Sequence, residues 1–240
     1  MSGGGARTSK WPKTFAPLTA EQEAIRDDFM RHWHEVLPRR FGVIDRFNHT
    51  YPVRHAPAGF ARTLEIGAGL GEHLDYERLD DAQRAGYVAL ELRPNMAAEI
   101  ARRHPGIRTL VADCQERIPF PDGHFDRILA VHVLEHLPNL PAAVRELRRL
   151  CAASGVLQIV IPCEGGLAYS LARRISAQRI FEKRYKQSYR WVIEREHVNR
   201  PAEILEELAP AFAVTHRGFF PLPVPSIELN LVMGLTLRPV

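Results

Sequence analysis

The chain has 240 residues, 45% of them hydrophobic, and a formal net charge of +4, ordinary globular composition with enough chain to bury one large α/β core. No stretch approaches the ~20 continuous apolar residues of a membrane span. Cys114, Cys151 and Cys163 are odd in number and show no C-x-x-C spacing, which argues against a disulfide framework or a zinc site, leaves no metal expected, and favours a reducing cytoplasm.

Residues 1–18 read as a disordered leader without the apolar core of a secretory signal. Residues 19–58 read as an N-terminal helical cap. Thr19 and Gln22 make a capping box, and Ile25, Phe29, Trp33 and Val36-Leu37 recur at helical spacing until Pro38 stops or kinks the helix. "NHTYPVRHAPAGFAR" reads as a loop into a short buried strand at 63–66. A glycine-rich loop follows, then a helix-compatible stretch over about 70–84. Strands are predicted at 87–92, 109–114, 126–134 and 155–162, with helices at 94–104 and 140–153 between them. A helical insertion spans about 167–196, then comes a helix at 201–212 and two closing strands. The alternation predicts an α/β fold: a doubly wound, mostly parallel seven-stranded sheet with helices on both faces, residues 59–240 in one domain, and a helical lid at about 166–197 after the fifth strand.

The loop is "TLEIGAGLGEH", with Gly67, Gly69 and Gly71 in five positions. Bare backbone there means a sharp turn or a ligand lying against the chain. Strand, glycine loop and helix open a nucleotide-binding unit. A nicotinamide site usually shows G-x-G-x-x-G, whereas here Glu72 stands where the third glycine would fall. Glu65, two residues before the first glycine, would repel a pyrophosphate and suit a cation. Glu91, 20 residues after Gly71, ends the second strand, where a carboxylate accepts from ribose hydroxyls. Asp113 ends the third strand, where it can accept from an adenine amino group. The ligand suggested is an adenosine bearing a cation, which S-adenosylmethionine is.

These motifs resemble the class I, Rossmann-like S-adenosylmethionine-dependent methyltransferases of the small-molecule and lipid branch. The E-x-G-x-G-x-G motif is matched by Glu65, Gly67, Gly69 and Gly71, and the acid and methionine after the second strand by Glu91 and Met96. Asp113-Cys114 is followed by "IPFPDGHFD", and then come "VHVLEHLPN" and "EHVNRPAEILEEL". The resemblance implies cofactor contacts from Glu65, Gly67, Ala68, Gly69, Gly71, Glu91, Leu92, Met96, Asp113, Cys114 and Val131. Two departures stand out: Ala153-Ser154-Gly155 replaces the usual Pro-Gly-Gly before the fifth strand, and Arg93 stands where a small residue is common. Asp126 reads as structural.

His132, after the fourth strand, sits at the edge where open α/β sheets bind substrates, and His197 follows the insertion; these two are the candidate catalytic bases. His136 reads as structural. Between Arg173 and Arg190 lie seven basic residues against Glu182 alone, a local charge of about +6, interleaved with Phe181, Tyr185 and Tyr189, with Trp191 just beyond. Such a segment can hold an anionic partner, or be a solvated helix whose aromatics pack inward. The expected activity is methyl transfer from S-adenosylmethionine to a small-molecule, lipid or carrier-linked acceptor, anionic by the charge of the lid, with no dedicated nucleic-acid domain. A nicotinamide oxidoreductase and a non-catalytic cofactor-binding protein are the rival readings.

Overall fold

The computed structural model describes residues 10–40 and 42–240. The chain opens with two helices, α1 (Ala20–Arg40) and α2 (Gly42–Arg54). It then alternates: β1 (Thr63–Ile66), α3 (Asp81–Ala85), β2 (Tyr87–Glu91), α4 (Pro94–Arg103), β3 (Arg108–Val111), β4 (Phe125–Val131), α5 (Leu140–Leu150) and β5 (Cys151–Pro162). Three short helices form the insertion, α6 (Leu167–Ile175), α7 (Ala177–Tyr185) and α8 (Arg190–Glu196). Then come α9 (Pro201–Leu208), β6 (Phe212–Phe220) and β7 (Val232–Pro239). The seven strands form one sheet in the order β3-β2-β1-β4-β5-β7-β6, parallel except for β7, which runs antiparallel to both neighbours. The chain reverses direction between β1 and β4, which places the ligand crevice outside the carboxyl ends of those strands.

One face of the sheet is almost wholly apolar. Leu64, Ile66, Val88, Leu90, Ile128, Ala130, Ile159 and Ile161 pack there against Leu140, Ala143, Val144 and Leu147 of α5 and Ile204 and Leu208 of α9. The opposite face carries polar groups deep inside. Arg127 of β4 is fully buried, and its guanidinium is shared among several partners. Nε donates to Gln158 Oε1 at 2.8 Å, Nη2 donates to the Pro52 carbonyl at 3.1 Å, and Nη1 forms an ion pair with Glu77 at 2.8 Å. Gln158 Nε2 donates to the same Pro52 carbonyl at 3.0 Å. The ring of Phe60 lies 4.7 Å from the guanidinium carbon.

Those bonds explain α2, which replaces the expected loop. The last turn of a helix leaves carbonyls without intrahelical donors, and Pro52 O is one of them. Arg127 and Gln158 satisfy it from the sheet. The helix is further pinned by Tyr51, whose ring lies against Gly218 and Gly234, where any Cβ would come within 2.8 Å of it. Its hydroxyl lies 3.1 Å from His216 Nδ1 and 3.3 Å from Thr236 Oγ1.

Other boundaries moved for local reasons. The stretch 70–84 is not one helix but a single 3-10 turn (His73–Asp75) and then α3. Glu77 is drawn inward to Arg127 and to His73 Nε2, at 2.8 Å, and Asp80 then restarts a helix through a capping box with Gln83. The helix expected over 140–153 ends at Leu150, because buried Cys151 already pairs with Phe125 and a register shift follows. α9 ends at Leu208, since Pro210 bars the residue before it from helical continuation. α1 runs past Pro38 to Arg40. The capping box at its start is present: Gln22 N donates to Thr19 Oγ1 at 3.2 Å, and Gln22 Oε1 accepts from Thr19 N at 3.0 Å.

Residues 1–9 of the expected leader lie outside the described residues. The remainder is tied down, which corrects the expectation of disorder up to residue 18. Trp11 Nε1 donates to Glu207 at 3.1 Å, and Lys13 Nζ donates to Glu203 at 3.0 Å and to the Val198 carbonyl at 2.6 Å. The insertion has its own small core, in which Phe29 of α1 meets Phe181, Tyr189 and Tyr185 edge-on at 5.1, 5.8 and 6.2 Å.

Arg127 is the test of this account. Arg127→Met should destabilise the protein by about 3–5 kcal/mol, because it strands a buried carboxylate at Glu77 and a carbonyl at Pro52. Urea titration of the variant should show the loss; a midpoint within error of wild type would remove Arg127 from its central place.

Candidate functional site

The glycine loop joins β1 to the turn at His73 and crosses the carboxyl edge of the sheet. Gly67, Gly69 and Gly71 all have positive φ, at 61°, 59° and 81°, where a side chain would be strained. Gly67 is also hemmed by Val133, whose Cγ2 would sit 2.6 Å from an added Cβ. Two carboxylates take the loop's amides. Glu91 Oε2 accepts from Gly69 N at 3.0 Å, and Glu72 Oε2 accepts from Leu70 N at 2.9 Å. A dinucleotide site would need such N–H groups for its pyrophosphate. Here they are occupied by negative charge, which repels a diphosphate and attracts a cation.

Glu91 is buried at the end of β2, and its second oxygen accepts from Arg93 N at 3.0 Å and Arg93 Nε at 3.1 Å. Arg93, the departure at the adenine rim, therefore orients the carboxylate read as the ribose acceptor. Leu92, next in the chain, is 60% exposed, an apolar surface beside that carboxylate, while Met96 in the first turn of α4 is buried. Asp113 holds a turn after β3. Its Oδ1 accepts from Gln115 N at 2.8 Å, which leaves Oδ2 with one long contact to Gln115 Nε2 at 3.2 Å. Cys114 is buried against the apolar face, and burial pushes its thiol up to about 12. Ala68 is buried, its amide bonded to the Leu90 carbonyl at 3.0 Å, and Val131 is half-buried at the end of β4. Asp126 is structural as expected, its Oδ2 accepting from the amides of Ala61 and Arg62 at 2.9 and 3.1 Å.

Glu65 lies elsewhere. Its side chain points into the polar face beneath the loop, where Oε2 accepts from the Tyr87 hydroxyl at 2.7 Å. Burial pushes its carboxyl up to about 8, against the Tyr87 hydrogen bond and with help from the charges of Glu77 and Glu72. Below that pH it is mostly neutral, so the fixed negative charge at the loop comes from Glu91 and Glu72. Sequence reasoning used Glu72 only to reject a motif; its place on the loop amide was not foreseen.

The two candidate bases are drawn to one centre. His132 follows β4 with φ 54°, a left-handed conformation rare outside glycine, and such strain clusters at functional sites. Its amide donates to the Val160 carbonyl at 2.9 Å and its Nδ1 lies 2.9 Å from Glu135 Oε1. Glu135 is fully buried. Burial alone would raise its pKa, but the His132 hydrogen bond and the fields of His132, His136 and His197 outweigh it and hold the carboxyl at about 2. His197, after α8, is bonded through Nδ1 to Glu164, whose other oxygen accepts from Arg173 Nη1 at 3.1 Å. Burial lowers the His197 pKa, yet Glu164 and the other carboxylates raise it on balance. The rings of His136 and His197 meet edge-on at 5.1 Å. Glu135 and Glu164 were not singled out in the sequence. The adjacency Glu135-His136, three residues beyond His132, was the available signal.

The insertion packs on α1. Its aromatics pack inward, which answers half of the sequence question: Phe181 and Tyr189 are buried. Its charges divide. Arg173, Arg184 and Arg190 are paired with Glu164, Asp28 and Glu194. Arg174, Arg179, Lys183 and Lys186 are exposed. Leu167, Leu171 and Ile175, four residues apart on α6, are 72%, 61% and 67% exposed and form an apolar stripe beside them.

Glu65 supplies a test. In the window from the ordinary glutamate value near 4.5 up to about 8, the native state holds a proton that the unfolded chain has lost. Stability is therefore highest below that window, falls by up to about 1.4 kcal/mol per pH unit through it, and levels off above. Glu65→Gln keeps an acceptor for Tyr87 and should flatten that slope in denaturation curves between pH 5 and pH 8. An unchanged slope would mean that Glu65 is ionised in the native protein.

Residues 64–159 match the family model described as a methyltransferase domain. Over 143 residues the chain is 31% identical to a malonyl-[acyl-carrier protein] O-methyltransferase of Halorhodospira halophila, covering 57% of this chain and 47% of that protein. It is 27% identical over 144 residues to a 23S rRNA (guanine(748)-N(1))-methyltransferase of Streptomyces fradiae, covering 56% and 48%. The chain thus spans about half the length of the curated relatives it matches. Among solved structures, the 1,6-didemethyltoxoflavin-N1-methyltransferase of Burkholderia thailandensis, with its substrate and S-adenosylhomocysteine bound, superposes with a TM-score of 0.56 at 19% identity, covering 95% of this chain and 93% of that one. Residues 64–159 thus carry the likeness to a methyltransferase domain, and the strand order β3-β2-β1-β4-β5-β7-β6 belongs to a Rossmann-like fold shared with solved S-adenosylmethionine-dependent methyltransferases.

Proposed function

We propose that the protein moves a methyl group from S-adenosylmethionine to an anionic or anion-linked acceptor: a small molecule, a lipid or a carrier-tethered intermediate. The observation that carries the reading is the pair of carboxylates on the glycine-loop amides, Glu91 on Gly69 and Glu72 on Leu70. That pair fits an adenosine with a cationic tail and disfavours a nicotinamide dinucleotide. Bound at this edge, S-adenosylmethionine supplies a methyl group on a cationic sulfur with a good leaving group already in place. The chain's own work is alignment and exclusion of water. Glu91 accepts from the ribose, Leu92 and Met96 offer apolar surface to the adenine, and Asp113 Oδ2 accepts at the adenine rim. His132, oriented by Glu135, is placed to take the proton of a hydroxyl acceptor, and His197 stands across the same carboxylate. Residues 59–240 act as the catalytic domain, with 166–197 as a lid and 19–58 as a cap over the acceptor.

Support for an anionic acceptor is the unpaired charge of the lid next to its apolar stripe. Four exposed cations beside Leu167, Leu171 and Ile175 suit an amphiphile with a negative group. The named relatives act on an acyl-carrier-linked malonyl group and on an rRNA base, so the shared core does not set the acceptor. Three buried, unpaired thiols agree with a reducing compartment, and no helix among the described residues is long and apolar enough to cross a membrane.

Two measurements test the parts separately. Glu91→Ala should weaken S-adenosylhomocysteine binding by about 1.5–3 kcal/mol in calorimetry, since the ribose loses a charged acceptor and Gly69 N its partner. Equal affinity in a folded variant would displace the cofactor from this loop. Neutralising Arg174, Arg179 and Lys183 together should raise the acceptor KM and leave cofactor affinity alone. That effect should shrink as salt rises, because exposed charges are screened within about 8 Å at physiological ionic strength. Identical KM values in wild type and triple variant at low salt would make the lid's charge mere solvation.

A further inference from the structure

We propose that Glu135, His136 and His197 form a divalent-cation site at the acceptor edge, of the two-histidine, one-carboxylate kind. One donor atom from each of the three lies within 4.8 Å of the others. They come from two places far apart in the chain: a 3-10 turn after β4 and the first residues beyond α8.

Three observations converge. Glu135 Oε2 is buried without a hydrogen-bond partner, while Oε1 is engaged by His132 at 2.9 Å. A carboxylate oxygen aimed into a protein interior with nothing to accept is costly and calls for a missing donor or cation. Each histidine, in turn, has its Nδ1 held from behind: His136 by the Glu196 carbonyl and His197 by the Glu164 carboxylate. That arrangement fixes the tautomer with the proton on Nδ1 and leaves Nε2 as the bare donor. Metal-binding histidines are backed in this way almost without exception, by a carbonyl or a carboxylate. Glu164 is itself braced by Arg173, and His132 braces the first oxygen of Glu135, so every ligand has a second partner setting its direction.

The donor set is two neutral imidazoles and one carboxylate, a borderline set that suits zinc and its first-row neighbours over calcium or magnesium. A four-coordinate ion with ligands at about 2.1 Å has donors roughly 3.4 Å apart, so the three side chains would draw in by small rotations. Three protein ligands leave at least one open position, on the side where His132 is partly exposed. The absence of C-x-x-C spacing speaks only against thiolate sites and does not bear on this one. The site stands on its own residues. Its use, to acidify an acceptor oxygen, rests on the methyl-transfer reading.

The probes are Co²⁺ and Zn²⁺, added to the full-length protein after chelator treatment. Co²⁺ should bind with one-to-one stoichiometry, give visible ligand-field bands, and be displaced by Zn²⁺. His197→Ala and Glu135→Gln should each weaken binding at least tenfold, and Glu164→Gln by roughly 10–100-fold at most, as the backing partner is lost. His197→Ala is the informative variant if Glu135→Gln fails to fold. His216→Ala, at the His55–His216 stack remote from this edge, is the control and should change nothing. No stoichiometric binding by wild type, or binding that survives His197→Ala and falls with His216→Ala, would overturn the site. S-adenosylhomocysteine affinity, measured on the same samples, keeps the two readings apart: its loss in wild type would sink the methyl-transfer reading and leave the cation site standing.

Discussion

A single buried guanidinium organises this molecule. Arg127 sits mid-strand on β4 with no solvent access, and taking it out of water is expensive unless every donor is answered. Its partners come from an N-terminal helix end, from the neighbouring strand and from the segment after the glycine loop. Meeting its demands therefore fixes where α2 ends, breaks the helix expected after the glycine loop, and leaves that loop held between a buried ion pair below and the crevice above. The apolar face of the sheet contributes bulk stability; the polar face sets which pieces meet.

Electrostatics then separates two kinds of acid. Glu65 and Glu77 lie under the loop, and burial, helped by the neighbouring charges of Glu77 and Glu72, raises the carboxyl of Glu65 to about 8. Glu91 and Glu72 lie on the loop amides, each accepting a backbone N–H. A cationic ligand arriving at this edge meets charge already in place and already oriented, at no reorganisation cost. Glu135 is held at about 2 although buried, chiefly by the hydrogen bond from His132, with the fields of the neighbouring histidines adding to it.

Much of this was legible in sequence because it is local. Period, glycine spacing and strand-end acids placed the sheet, the loop and Glu91 without reference to anything distant. The failures are all non-local. α2 was hidden because Pro52 and a run of polar residues mimic a loop, and only Arg127 and Gln158, 75 and 106 residues away, reveal why the segment is helical. Glu65 sits in the right motif, yet its partner is a tyrosine on the next strand. Glu135 was passed over because its neighbour His197 comes from 62 residues further along the chain, beyond the three-helix insertion.

The small core shared by α1 and the insertion has a consequence for how the chain is made. Phe29 emerges from the ribosome about 150 residues before Phe181, Tyr185 and Tyr189, the rings that cover it. Until those arrive, the first helix can lean on α2, but the aromatic cluster that covers its Phe29 face is incomplete. The sheet, whose parallel pairs close in sequence order, can assemble first. The N-terminal helix would then be among the last pieces to complete its packing, together with the insertion that shares its core, so that synthesis order and assembly order run opposite there.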